Sequence, residues 1–410
     1  MAAISLVDAQ QFVVSNCARL APVRLPISES LGCVLAVDVI ATEAVPPFAN
    51  TAMDGFAVRA VDVATVPVDL PVISTLAAGA EPTVAVGSGQ AIRIMTGAAI
   101  PDGADAIVPI ENTDQLAVGP ELVRVLVSAS LGDAVRPAGE DVVVGQTVFR
   151  AGETLTAGHL GVLASIGLLS VSVYRRVRVG VLSTGDELIS PPASLKLGQI
   201  RDSNRQTLLA LITQSNAEAI DLGVARDTEV EIRTKIAAGI ASCDAIVTSG
   251  GVSVGDFDFV KVVLDALSAK SGQPMRWMQV AIRPAKPLAF GLIGGKPVFG
   301  LPGNPVSSMV SFELFARPGL RRMMGHDDST VHRSPIRGVA AEDLRRSPDG
   351  KIHFARVRAE FDADGRLQVR SSGGQGSNLL RSMALANALA VLPDGATVPA
   401  ASPVDVLLLD

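Results

Sequence analysis

From Val177 onward the chain alternates apolar strand-like runs with helix-like stretches for about 140 residues, and this alternation constrains the fold more than any other feature. The strand runs read VRVGVLST, EAIDLG, DAIVTSG and KPVFGL, and the spacing predicts helices near 204–215, 228–241, 258–270 and 304–316. Strands separated by crossover helices pair in parallel, so a parallel sheet with helices on both faces is expected. Sheets of this kind bind ligands in the loops beyond the carboxyl ends of their strands. Three such loops hold the unusual residues: Ser183-Thr184-Gly185-Asp186-Glu187, Thr248-Ser249-Gly250-Gly251-Val252-Ser253-Val254-Gly255-Asp256, and Leu301-Pro302-Gly303-Asn304-Pro305-Val306-Ser307-Ser308.

Gly250 and Gly251 lack a Cβ, which lets backbone N–H groups approach an anion, and a helix opening at Asn304-Pro305 adds its unpaired N–H groups. Each loop alone also reads as a tight connector. Together they favour a phosphate or oxyanion pocket. The same loops carry Asp186, Glu187, Asp256 and Asp258, with Asp227 after the neighbouring strand. Carboxylates repel a phosphate unless a divalent cation lies between, and an oxygen-only ligand set suits Mg2+. Asp227 and Asp256 also fit as helix caps. In Arg283-Pro284-Ala285-Lys286-Pro287 the prolines hold two cations in an extended segment, either a solvated strand or a counter-charge for an anionic substrate. Asp54 and Asp141 lie in ordinary Asp-Gly and Gly-Glu-Asp turns.

The rest of the chain has a different texture. Apolar positions over residues 3–20 suit an amphipathic helix, VLAVDVI a strand at 34–40, and short apolar runs broken by Gly, Pro and Asp from about Pro46 to Glu140 an all-β region. Short strands return after Met324, with Asp-Gly at 349 and 364 marking hairpins. The stretch Thr154–Tyr174 is uncharged, but its glycines and serines and a break at Gly167 read as helix plus strand rather than a membrane span. With 35 basic and 41 acidic side chains, a net charge of −6 and 3% aromatic residues, the chain lacks the basic surface and stacking platforms of a nucleic-acid binder. Cys17, Cys33 and Cys243 are too scattered for a disulfide framework or zinc site. The N-terminal MAAISLVDAQQF has neither a basic n-region nor a long apolar h-region, so a cytoplasmic location is expected.

Six ordered motifs then carry a family resemblance: Asn50-Thr51-Ala52-Met53-Asp54-Gly55-Phe56-Ala57, Arg93-Ile94-Met95-Thr96-Gly97-Ala98, Gly139-Glu140-Asp141, Ser183-Thr184-Gly185-Asp186-Glu187-Leu188, Ser249 to Asp256, and Leu301 to Ser308. In this order they resemble the molybdopterin molybdenumtransferases, the MoeA family, similar to the C-terminal domain of gephyrin. The resemblance spans nearly the whole chain. It implies an α/β multidomain fold: a helix at 1–21 packing on the α/β domain, a linking domain at 22–45 and 142–175, an inserted β-rich domain at 46–141, a three-layer molybdopterin-binding α/β domain at 176–324 and a C-terminal β-barrel at 325–410.

The implied activity is insertion of molybdenum from molybdate into adenylylated molybdopterin with Mg2+-dependent release of AMP, by a homodimer in transient contact with a molybdopterin adenylyltransferase, without nucleic acid or membrane. By residue, the resemblance places Asp186, Glu187, Asp227 and Asp258 at the metal and pyrophosphate, with Glu187, Asp227 and Asp258 also catalytic. Thr184, Gly185, Ser249, Gly250, Gly251, Ser253, Pro302, Gly303 and Asn304 would bind substrate, joined by Arg283 and Lys286. Arg356, and Ser377 in Gly374-Gln375-Gly376-Ser377, would face the anionic substrate or molybdate, and Asp54, Thr96 and Asp141 would enter across the dimer. The chain departs from the family where Lys-Val-Ala-Met-Lys-Pro-Gly-Lys-Pro is usual and Gln279 to Pro287 stands instead: Gln279 removes one cation and Arg283 exchanges a lysine for a planar fork. Two alternative readings are an adenylyltransferase consuming ATP and a gephyrin-like scaffold with weak catalysis.

Overall fold

The strand runs after Val177 pair as their alternation requires. A computed structural model describes residues 3–114, 119, 121–251, 259–269 and 274–409. In it a six-stranded sheet has the order Glu218–Ala225, Arg178–Thr184, Ala245–Ser249, Lys296–Leu301, Pro287–Ile293, Arg276–Gln279. The first four strands are parallel neighbours. The last two are antiparallel, which corrects the expectation of an all-parallel sheet. The reversal has a local cause: Gly294 and Gly295 both take positive φ, 59° and 76°, and close a two-residue turn between Ile293 and Lys296. A turn that short joins only antiparallel strands.

Helices Ser203–Gln214, Glu229–Ser242 and Phe259–Ala269 fall where the pattern put them. Two have side-chain caps: the Asp202 carboxylate accepts the Arg205 N–H at 3.1 Å, and the Thr228 hydroxyl that of Glu231 at 3.4 Å. The fourth starts at Pro305, whose missing N–H costs nothing there, widens into a π turn over Phe312–Ala316 and continues as Arg317–Met323. The N-terminal helix, Leu6–Ser15, is shorter than the periodicity suggested, because the Asn16 amide donates back to the Phe12 carbonyl at 2.8 Å and ends it. Its Ala9 and Val13 join Val179, Phe299 and Phe315 in one core, and Phe12 meets Phe290 edge-on at 5.8 Å. Each buried side chain of that size contributes roughly 1.5–3 kcal/mol, so the sheet is a rigid platform for its loops.

The C-terminal strands close into a five-stranded barrel. The ten-residue strand Ile352–Phe361 pairs with Ala388–Leu392 over its first half and with Leu367–Ser371 over its second, while Ile336–Ala340 and Pro403–Leu408 complete the ring. Alternate positions, among them Val357, Ala359, Val369, Ala390 and Val406, fill the interior. Asp364-Gly365 makes the expected hairpin. Asp349-Gly350 does not, because the preceding strand pairs elsewhere and the segment is drawn aside by Arg346, whose buried guanidinium donates to the Lys351 and Leu392 carbonyls.

Sheet and barrel belong to one compact unit, Met1–Arg24, Gly32–Ala36 and Ser172–Asp410; Leu25–Leu31 and Val37–Val171 form the other. The second unit holds its own six-stranded sheet, from Ala106–Pro109 at one edge to Thr113–Asp114 at the other. The run expected as one strand at 34–40 is two, Val34–Leu35 and Val39–Ile40, which pair with different partners, Ser170–Tyr174 and Thr147–Phe149. Thr154–Tyr174 does divide at Gly167 into a helix, Ala157–Ser165, and a strand, and among the described residues no helix is long and apolar enough to cross a membrane.

Candidate active site

Parallel register brings the three loops to one edge of the sheet: Ser183 lies opposite Ser249, and Ser249 opposite Leu301. The backbones then lie close together. Gly250 has φ of 93°, donates its N–H to the Leu301 carbonyl at 3.1 Å, and a Cβ there would sit 3.1 Å from the Thr184 carbonyl oxygen. Gly303 has room for a side chain, a Cβ there lying at ordinary contact distance, 3.7 Å, from the Gly250 Cα. Glu187 folds back over Gly185, where a Cβ would come within 2.4 Å of its carboxylate. Thr184, Ser249 and Pro302 are buried beneath this edge, while Gly303 and Asn304 are exposed. Two expected donors are already used: the Gly250 N–H on the Leu301 carbonyl, and the Val306 N–H at the start of the helix on the Ser377 carbonyl at 3.1 Å.

Asp186, Glu187 and Asp227 are exposed at this edge, and the Asp186 carboxylate accepts the Asp227 N–H at 3.1 Å. Thr228 caps the helix, so the Asp227 carboxylate is not needed as its cap. Ser253, Asp256 and Asp258 lie outside the described residues. Among the described residues no group of three or more His, Cys, Asp or Glu side chains is placed to hold a metal by protein groups alone. Exposed carboxylates of this kind fit Mg2+, which takes one or two of them and completes its shell with water and substrate phosphate. The three cysteines are buried and free, and burial pushes the Cys17 thiol far up, away from the thiolate a nucleophile needs.

A second polar region lies in the barrel. A cavity of about 860 Å³ is lined by Arg283, Arg345, Arg346, His353, Arg356 and Gln375, among others. Arg356 is fully buried. Its Nη2 donates to the Gly374 and Gly376 carbonyls at 2.8 and 3.2 Å, its backbone exchanges two bonds with the Gln375 amide, and its Nε has no partner. Among the described residues no carboxylate pairs with it, and burial lowers its pKa. Ser377 follows directly, half-buried, so the loop that wraps Arg356 also rests on the helix after Asn304. Arg283 is 68% exposed, 3.7 Å from Asp349, and Lys286 is exposed across a left-handed Ala285.

Arg345, Arg346, His353 and Gln375 were not legible as site residues. Only the Arg345-Arg346 pair before Asp349-Gly350 offered a signal. In the other unit the structure brings Asp54 and Thr96 together: the Asp54 carboxylate accepts the Thr96 N–H at 2.6 Å and hydroxyl at 2.7 Å, which holds its pKa below the ordinary range. Asp141 is exposed and anchored by its N–H to the Val45 carbonyl at 2.9 Å.

A glycine-lined loop edge, exposed carboxylates and an arginine with no counter-ion among the described residues characterise a multidomain α/β protein. Comparison with known proteins narrows this. Family models match for the MoeA N-terminal region (domain I and II) over residues 4–167, a probable molybdopterin binding domain over 180–322 and the MoeA C-terminal region (domain IV) over 337–409. A molybdopterin molybdenumtransferase 2 of Mycobacterium tuberculosis is 37% identical over 396 residues, 95% of each chain. The Haemophilus influenzae molybdopterin molybdenumtransferase is 38% identical over 374 residues, 90% of this chain and 89% of its own. The crystal structure of a molybdopterin biosynthesis MoeA protein from Pyrococcus horikoshii superposes with a TM-score of 0.80 at 29% identity, covering 100% of both chains. The chain belongs to the MoeA family of molybdopterin molybdenumtransferases.

Proposed function

We propose that this protein inserts molybdenum from molybdate into adenylylated molybdopterin and releases AMP, acting as a homodimer with Mg2+ at Asp186, Glu187, Asp227 and Asp258. Its membership makes it a transferase of molybdenum cofactor biosynthesis. The Thr184-Gly185, Ser249-Gly250-Gly251 and Pro302-Gly303-Asn304 loops hold the pyrophosphate through the Thr184 and Ser249 hydroxyls and backbone N–H groups other than those of Gly185 and Gly250, which donate to the Ala225 and Leu301 carbonyls. Bound at the carboxylates, Mg2+ supplies charge neutralisation at the phosphoanhydride. Asp258 and Ser253 add to the same loops, and Asp54, Thr96 and Asp141 complete the site from the partner copy.

Arg356, with Arg283 in the wall of the same cavity and Ser377 and Lys286 in the same unit, holds molybdate. The dithiolene sulfurs that receive the metal belong to the substrate, so no protein thiolate is required, in keeping with three buried cysteines. The protein's contribution is positional and electrostatic.

The observation that carries this reading is Arg356, a fully buried guanidinium for which no carboxylate partner stands among the described residues. Such a charge is costly unless an anion meets it. The test is AMP release from adenylylated molybdopterin by the purified protein, with finished cofactor assayed alongside. The reading requires both products to appear together and to depend on molybdate and Mg2+. Substrate bound but unchanged would instead mark a scaffold, and ATP-dependent formation of the adenylylated species an adenylyltransferase.

A further inference from the structure

The start of helix Ser203–Gln214 touches all three strand-end loops. The Asp202 carboxylate accepts the Ser183 hydroxyl at 3.1 Å, together with the N–H and Nε–H of Arg205 at 3.1 and 2.9 Å. Two residues on, the Asn204 amide meets the other two loops at once: Nδ2 donates to Ser249 Oγ and to the Gly303 carbonyl, each at 2.7 Å. The Gly303 carbonyl can only accept, which fixes the facing atom of Asn204 as nitrogen. Its second N–H then goes to Ser249, so that hydroxyl accepts from Asn204 and keeps its own proton for another acceptor. The two hydroxyls at this edge thus differ. Ser183 spends its proton on Asp202, whereas Ser249 does not spend its proton on Asn204. The remaining Asn204 oxygen is buried without a partner, a state that folded proteins seldom keep without a use.

We propose that Asn204 is a positioning residue, which clamps the Ser249 and Gly303 loops together and orients the Ser249 hydroxyl to donate to a phosphate oxygen of the substrate. This rests on the reading of these loops as the pyrophosphate site. A neutral amide suits this role because it supplies two donors in one plane and brings no negative charge to an anion. A carboxylate of the same shape cannot donate to Gly303 and repels phosphate.

The test is steady-state AMP release by Asn204→Ala, Asn204→Asp, Ser249→Ala and the double variant Asn204→Ala/Ser249→Ala, each checked for wild-type thermal unfolding. Loss of a hydrogen bond to a charged group corresponds to about tenfold to a hundredfold in affinity. The KM for adenylylated molybdopterin is therefore expected to rise by that factor in Asn204→Ala, with kcat within about threefold. Asn204→Asp, the same size and shape, is expected to raise it at least as far. In the double variant the KM should stay within about threefold of the worse single variant, because both substitutions remove one interaction. Multiplicative effects would show that Asn204 does not act through Ser249 and would overturn the proposal, as would an unchanged KM in a folded Asn204→Asp. Wild-type protein that releases no AMP would overturn the underlying reading as well; wild-type turnover with indifferent Asn204 variants would overturn this inference alone.

Discussion

The sheet edge and the barrel cavity, two parts of one compact unit, offer opposite kinds of donor to an anion. At the edge they are neutral, the Ser249 hydroxyl and backbone N–H groups, with the Asn204 amide spending both its N–H groups on Ser249 and Gly303, and a Cβ at Gly250 would press on the Thr184 carbonyl oxygen at 3.1 Å. In the barrel the donor is a charge, Arg356, held by the Gly374 and Gly376 carbonyls and given no internal counter-ion among the described residues. Neutral backbone donors select by shape and close approach, and they tolerate the carboxylates Asp186 and Asp227 beside them. A guanidinium selects by charge and planar fork. A second cationic group shows the difference from the other side. Arg317 and Arg333 share the buried Glu313 carboxylate, at 3.5 and 2.6 Å, so part of their charge is met within the protein.

Arg356→Ala gives the largest expected effect. It strands two carbonyls and empties a side-chain volume, so the barrel should lose about 3–5 kcal/mol in urea unfolding, and molybdate-dependent turnover should fall by about a hundredfold or more. Arg356→Lys keeps the charge without the fork and should recover only part of each. If Arg356→Ala lost stability but kept turnover, the two regions would not differ as described.

Next in size is a pH effect at this arginine cluster. Burial first, then Arg321 and Arg317, lower the pKa of His326 from 6.5 to about 4. Folded His326 is neutral where the unfolded chain takes up a proton, so stability should drop as pH falls from about 6.5 toward 4 and return above that window. At about 1.4 kcal/mol per pKa unit the loss approaches roughly 3 kcal/mol. His326→Gln should flatten this part of the unfolding-versus-pH curve without altering molybdate affinity. An unchanged curve would contradict the assignment.

The smallest effect belongs to Gly250→Ala. A left-handed residue with a Cβ 3.1 Å from the Thr184 carbonyl should cost about 1–3 kcal/mol of stability, and the shifted loop should weaken binding of the adenylylated substrate about tenfold.

The sheet edge was largely legible in the sequence because its signals are local. Apolar runs end in Gly250-Gly251 or Pro302-Gly303, and a strand's end fixes where its loop emerges. The antiparallel strands Arg276–Gln279 and Pro287–Ile293 escaped notice although Gly294-Gly295 marks their turn, since the strand–helix alternation dominated that region. The barrel cavity was legible only at Arg283, through the proline-held cations, and at Arg356, through resemblance. Its other walls come together only in three dimensions: Ile282–Arg283 pairs alongside the long barrel strand, which sets Arg283 beside His353, and Arg346 reaches across to the Leu392 carbonyl. Asn204 escaped for the same reason: its partner Gly303 stands 99 residues away, and nothing around Asp202-Ser203-Asn204 distinguishes a clamp from a helix cap.

The division of labour between the two regions is tested most directly by steady-state AMP release with molybdate and adenylylated molybdopterin varied separately, in wild type, Arg356→Ala and Gly250→Ala. The expected result is a split: Arg356→Ala raises the KM for molybdate tenfold or more and leaves that for the nucleotide substrate within about threefold, while Gly250→Ala does the reverse. Both variants raising the same KM would contradict the assignment of phosphate to the loops and molybdate to the arginine.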